Sequence, residues 1–197
     1  MTDNQQRQYV ARAFVSCSLR LEDQPFVDYI EKILLAYNIE PIGTVGRYSA
    51  SPENPVVLMK KNIPYADFVV ICATPRYLQK DLHTGQVSYG LSEMIHIETG
   101  IAYANNKPVV VFVREGTDVG NFIPNITQYI TLNGKSEDFA VKKPLIYALL
   151  NSAYLLTKEM KNKMKESKVL NTAGKVVVVG LAIYGTYKLI KEIFGEK

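Results

Sequence analysis

Residues 67–73 read Asp-Phe-Val-Val-Ile-Cys-Ala, an apolar run with polar, turn-rich segments on either side. A strand that shows one face to water alternates apolar with polar residues. A run without alternation has to be covered on both faces, as central strands of a parallel sheet are when helices sandwich them. Residues 109–113, Val-Val-Val-Phe-Val, repeat the pattern. Parallel neighbours need a crossover to join them, so two such runs point to an α/β architecture.

The remaining segments fit that frame. Residues 9–16, Tyr-Val-Ala-Arg-Ala-Phe-Val-Ser, read as a short first strand. In residues 23–37 the apolar Phe26, Ile30, Ile33, Leu34 and Tyr37 recur at helical spacing, with Asp23 as N-cap and Pro25 in the first turn. Residues 39–43 form a second strand, which completes a strand–helix–strand unit. A short helix is expected over 55–62, a helix over 91–105, a last edge strand over 129–132, and helix over 134–152 anchored by Ile146, Leu149 and Leu150. The predicted fold is a flavodoxin-like three-layer sandwich with a parallel sheet of about five strands, spanning 9–155. Three long polar loops, 43–55, 74–90 and 114–124, leave the C-terminal ends of strands. In an open parallel sheet those ends share one edge, and ligands bind there.

On the helix of residues 91–105, a rotation of about 100° per residue places Leu91, Met94, Ile95, Ile101 and Ala102 on one arc. Glu98 falls in the middle of that arc, while Glu93 and His96 fall on the far side. A carboxylate in an apolar stripe is costly unless paired or hydrogen-bonded, and its pKa tends to rise. Two readings follow. Glu98 is a nucleophile or acid/base group facing the cleft, or it caps a neighbouring loop through backbone N–H groups. Gly100 would allow close approach of a strand or ligand, or simply cost helix propensity. Ser92 caps the helix or orients a ligand. His83, in a polar loop, is either a cleft residue or a solvated one.

Absent motifs exclude several chemistries. The chain has no GxGxxG fingerprint, Walker A segment, GxSxG elbow or HExxH pair. Its two cysteines, Cys17 and Cys72, make neither a disulfide framework nor a zinc set, and are expected to be reduced and buried. The first residues, Met-Thr-Asp-Asn-Gln-Gln-Arg-Gln, lack a cationic-then-apolar pattern, so a cytoplasmic domain is expected.

The segment Phe14-Val-Ser-Cys-Ser18, followed by Glu22, Asp23 and Phe26, resembles the first-strand motif of Toll/interleukin-1 receptor (TIR) domains. The segment Glu98-Thr-Gly-Ile-Ala-Tyr-Ala-Asn-Asn-Lys-Pro108 is similar to the helix–strand segment of nucleoside 2-deoxyribosyltransferases. The likeness spans residues 9–133. Both families cleave an N-glycosidic bond to ribose or deoxyribose, and prokaryotic TIR domains often consume NAD, some in antiphage signalling. The resemblance implies an NAD glycohydrolase or ADP-ribosyl cyclase with NAD as substrate and no required cofactor. It makes Glu98 catalytic and sets Ser16 and Ser18 at the substrate edge. In that mechanism Arg47, Arg76 or Arg114 would hold a pyrophosphate, and Phe14, Tyr48 or Tyr89 would stack on a base. The alternatives are a nucleoside deoxyribosyltransferase, or a nucleotide-sensing scaffold without catalysis. The Trp/Cys-containing catalytic helix motif of animal NAD-cleaving TIR domains is missing; Leu91, Ser92 and Met94 stand in its neighbourhood.

The C-terminal segment, 156–197, has a different character. Residues 142–197 hold eleven Lys and four Glu, so the net charge of +4 belongs to this end of the chain. Within it, residues 176–187 are uncharged, shorter than the roughly 20 residues that span a bilayer. The stretch 169–190 is expected to contact a membrane's inner face or to self-assemble into a homo-oligomer; docking on the sheet domain and a strand over the four valines are the other readings. Specific nucleic-acid binding is not expected, because readout residues are missing.

Overall fold

The computed structural model describes residues 8–43, 47–48 and 53–170. The elements in chain order are β1 (Ala11–Ser16), α1 (Gln24–Ala36), β2 (Ile39–Gly43), α2 (Pro55–Asn62), β3 (Phe68–Ala73), β4 (Tyr77–Lys80), β5 (Val87–Gly90), α3 (Glu93–Ala104), β6 (Val109–Arg114), α4 (Phe122–Ile126), β7 (Tyr129–Leu132) and α5 (Ser136–Leu170). Five strands form one sheet in the order β2-β1-β3-β6-β7, and each neighbouring pair is parallel. With the hairpin β4–β5 set aside as an insertion, this is the flavodoxin-like order and a three-layer sandwich, as predicted.

The period of two along each strand sorts the core into two halves. Phe68, Val70 and Cys72 of β3 point one way, with Ala13 and Val15 of β1 and Val110 and Phe112 of β6. They meet Val27, Ile30 and Leu34 of α1 and Phe139, Ile146 and Leu150 of α5. Val69, Ile71 and Ala73 point the other way, with Phe14, Val111 and Val113, against Met59 of α2, Ile95 and Ala102 of α3, and Ile123 of α4. All six residues of β3 are fully buried. Cutting a side chain such as Phe112 to alanine would cost about 3–5 kcal/mol through lost transfer energy and the cavity left behind. Cys72 lies in this dry core, and burial pushes its thiol pKa up, as an inert structural cysteine requires.

Helix boundaries follow local chemistry. Asn54 caps α2 by accepting from the Val56 N–H at 2.9 Å, and Pro55 occupies the first turn. Ser92 caps α3 through the Met94 N–H. Past the C-termini of α1 and α3, Asn38 and Asn106 adopt positive φ, which asparagine tolerates better than most residues.

Four sequence expectations needed correction. Asp23 sits at the N-cap position of α1, but its side chain makes no capping bond and turns to two arginines instead. The loop 74–90 contains the antiparallel hairpin β4–β5, hidden from pattern reading because β4 is exposed along its whole length and β5 along half of it. Its turn is held by Asp81 Oδ1, which accepts from the His83 and Thr84 N–H groups. The loop 114–124 gives way at its end to the short helix α4. The last helix, α5, runs well past residue 152 and carries Pro144 inside it.

The described residues divide into two units, one ending at Thr157 and the other beginning at Lys158. In the first, Thr157 donates its hydroxyl to the Asp67 carbonyl at 2.9 Å. In the second, Lys163 pairs with Glu159. Of the hydrophobic stretch 169–190, residues 171–190 lie outside the described residues. Among those described, no helix is long and apolar enough to cross a membrane.

Candidate functional site

From β1 the chain turns to β2 on one side of the sheet; from β3 it turns to β6 on the other. The loops that follow β1 and β3 therefore diverge, leaving a crevice at their carboxyl ends. A cleft of about 580 Å³ opens there, within the usual range for a small-molecule site. Its walls come from the loop after β1 (Ser16 to Arg20), from Thr74 and Arg76 after β3, from α2, and from the first turns of α3.

Glu98 lies in the α3 wall and is only 5 % exposed. Ile95 and Ala102, one turn on either side, pack into the core, so the helical period carries Glu98 inward with them. Among the described residues, no cation lies within ion-pair distance of its carboxyl group. Burial therefore dominates and raises its pKa from the ordinary 4.5 to about 7, while the neighbouring Ser16 hydroxyl opposes the rise. Ser16 is buried on the same face because strand alternation puts Phe14 and Ser16 toward α2 and α3. Its Oγ reaches no partner at normal hydrogen-bond geometry. We therefore read the Ser16–Glu98 approach as a loose polar contact. The result is a carboxyl group that is about half protonated near neutrality and uncommitted to any strong partner.

The cleft floor is shaped by one close contact. Gly43, at the end of β2, has φ +119° and lies against the Phe14 ring, where a Cβ would come within 2.7 Å of Cδ2. Any side chain there would force the Phe14 ring or the end of β2 to shift. Phe14 itself is 2 % exposed, a floor rather than a free stacking platform.

A second cavity of about 490 Å³ adjoins the first, and Arg20 and Arg76 line both. Tyr77, Tyr89 and Arg114 border it on the hairpin and β6 sides. At its base Asp23, with 0 % exposure, accepts from Arg20 Nη2 at 3.0 Å through Oδ2 and from Arg114 Nη1 at 3.1 Å through Oδ1. Arg20 Nη2 also donates to the Pro75 carbonyl at 2.5 Å.

Of the residues singled out from sequence, Phe14, Ser16, Ser18, Arg76, Ser92 and Glu98 line the cleft together. Arg114 borders the second cavity only. Arg47 and Tyr48 line neither. Arg47 is held by Glu31 (2.5 Å), Asp28 (2.6 Å) and Gln24, three side chains on one stripe of α1. Tyr48 bonds to Glu31 and packs with the α1 half of the core. Gly100 has nothing within 4 Å of the position its Cβ would take, so close approach is not its role. His83 lies on the exposed hairpin turn and lines neither cavity. Sequence reading missed Arg20, Asn62 and Thr74. Arg20 was detectable as a base two residues beyond Ser18 on the same loop; Asn62 and Thr74 carry no local signal. Among the described residues, no group of three or more His, Cys, Asp or Glu side chains is arranged to hold a metal.

No protein-family model and no curated protein matches this sequence. Among solved structures, the fold is similar to Clostridium botulinum CMP N-glycosidase, BcmB, with TM-score 0.45 and 20% identity over 68% of this chain and 98% of that one. It is also similar to the solution structure of BlsM, with TM-score 0.50 and 19% identity over 77% of this chain and 94% of that one. At this identity the likeness to BlsM shows the fold alone. Neither of these two proteins is described as a TIR domain, so they add nothing to that resemblance.

Proposed function

We propose that this chain is an enzyme that cleaves the N-glycosidic bond between a heteroaromatic base and ribose or deoxyribose, with Glu98 as the working carboxyl group. One observation carries the reading: a buried carboxyl without a cationic partner among the described residues, opening onto a cleft at the topological switch point. As the base leaves with the bonding electron pair, positive charge develops at the anomeric carbon. An ionised Glu98 beneath the sugar stabilises that charge, or attacks to give a glycosyl ester that water then hydrolyses. The apolar wall of Leu58, Met59 and Met94 suits the base, and Ser16 and Ser18 offer hydroxyls to the sugar. The chemistry as written uses the protein's own carboxyl and water.

NAD, free nucleosides and nucleotides all carry such a bond, and the nicotinamide–ribose bond of NAD is one member of the class. The test is liquid chromatography of released base from a panel of all three. We expect release from at least one compound, and Glu98→Gln to abolish it while the variant still folds and binds. Equal turnover by both proteins would remove Glu98 from this role. Binding without turnover of any compound would favour a nucleotide-sensing scaffold.

A further inference from the structure

We propose that the second cavity is an anion subsite of the same cleft, which takes a phosphate ester on the substrate's sugar, with Arg76 as its principal ligand. This rests on the N-glycosidase reading of the cleft and adds the substrate class: a nucleotide in preference to a free nucleoside.

The argument starts from how the three arginines are used. Asp23 is fully buried and spends both oxygens, one on Arg20 and one on Arg114. That arrangement neutralises one charge of two and fixes both guanidinium groups at the cavity wall. Arg20 is held again by the Pro75 carbonyl and by the exposed Glu22 at 3.3 Å. Arg76 is different. Its side chain makes no ion pair or hydrogen bond among the described residues and lies over the Tyr77 ring, 5.8 Å from the centroid. Its backbone is fixed by a bond from its N–H to the Gly90 carbonyl at 2.8 Å, so the side chain projects from an anchored point. An anchored guanidinium with unused donors presents the fork that matches a phosphate bidentately.

Position supplies the second half. Arg76 and Arg20 line both cavities and so stand at their junction. Glu98 lines the first cavity together with both arginines, so a sugar bound over Glu98 shares that cavity with them. Two carboxylates, Glu22 and Glu115, also border the second cavity. Glu93, at the start of α3, also acts electrostatically on Arg76. All three carboxylates are exposed, as Arg76 is, so water screens both signs there, whereas Asp23 is already matched by its two arginines.

The test compares a nucleoside with its 5′-monophosphate on wild type, Arg76→Ala and Arg76→Lys, using the base that the wild-type protein releases. Turnover is read as kcat/KM and binding by calorimetry on the Glu98→Gln protein. The monophosphate should be preferred, and Arg76→Ala should shrink that preference roughly tenfold to a hundredfold, with partial rescue by lysine. Inorganic phosphate should compete with the monophosphate but not with the nucleoside, which separates an ester on the substrate from a free anion acting on its own. If no base is released from any compound, the N-glycosidase reading fails, yet tighter Arg76-dependent binding of the monophosphate would still uphold the subsite. Equal handling of nucleoside and monophosphate, or a preference untouched in Arg76→Ala, would overturn it.

Discussion

Two carboxyl groups are buried at the same edge of the sheet, and they are treated in opposite ways. Asp23 has an arginine on each oxygen. Glu98 has an apolar helix face around it and a loosely placed serine hydroxyl. Both were taken out of water, which is unfavourable for a charge. In one case fixed cations compensate, and the group becomes a structural post. In the other nothing compensates fully, and the group keeps a proton it would otherwise lose. The contrast separates a carboxylate that holds other side chains in place from one that is available to a ligand.

The comparison can be broken at several points. The largest effect should come from Glu98→Gln, which keeps shape and removes ionisation. Base release should fall by roughly 10²–10⁴-fold, measured as initial rates on the best substrate found. Next is Asp23→Ala, which strands two guanidinium groups at the cavity base. Denaturant unfolding should show a loss of about 1–3 kcal/mol, the range for hydrogen bonds to a buried charged group whose partners are themselves partly exposed. A smaller loss would mean water already satisfies those arginines.

The third test is pH. Between about pH 4.5 and 7 the folded chain holds a proton on Glu98 that the unfolded chain has released. The stability contributed by this group is therefore whole below pH 4.5 and is lost as pH rises to about 7, a fall of about 3 kcal/mol. Chemical unfolding across that window should show this component in wild type and not in Glu98→Gln. Turnover should run the other way, rising through about pH 7 as the carboxylate forms. An activity that instead fell through that range would identify Glu98 as a proton donor. The smallest effect belongs to Gly100→Ala. With open space around it in a helix interior, the change should stabilise the fold by about 0.5–1 kcal/mol, read as a raised Tm.

Much of this was legible before any coordinates. The strands at 68–73 and 109–114 are visible because a run buried on both faces leaves no room for polar residues. Glu98 is visible for the same reason in reverse, since a helical period turns an isolated acid into a geometric statement. What stayed hidden depends on partners distant in sequence or on solvent-facing structure. Asp23 has the residue type and position of a helix cap, and only the fold brings Arg114 to it. Arg47 looked like a loop arginine free to meet a ligand; its capture by Gln24, Asp28 and Glu31 depends on side chains 16 to 23 residues away in sequence. The hairpin β4–β5 lacks an apolar face, so it has no period to read.

That hairpin is also the part of the edge that the core needs least. The Arg76 N–H to Gly90 carbonyl bond closes its neck, and the Asp118 N–H to Tyr89 carbonyl bond, 2.8 Å, staples it to the loop after β6. What lies beyond the neck contributes no residue to either buried cluster. Such a segment can be shortened, lengthened or exchanged while the sheet beneath keeps its register. The rim of the second cavity is therefore a cassette: a place where ligand preference could change hands between related chains without renegotiating how the domain folds.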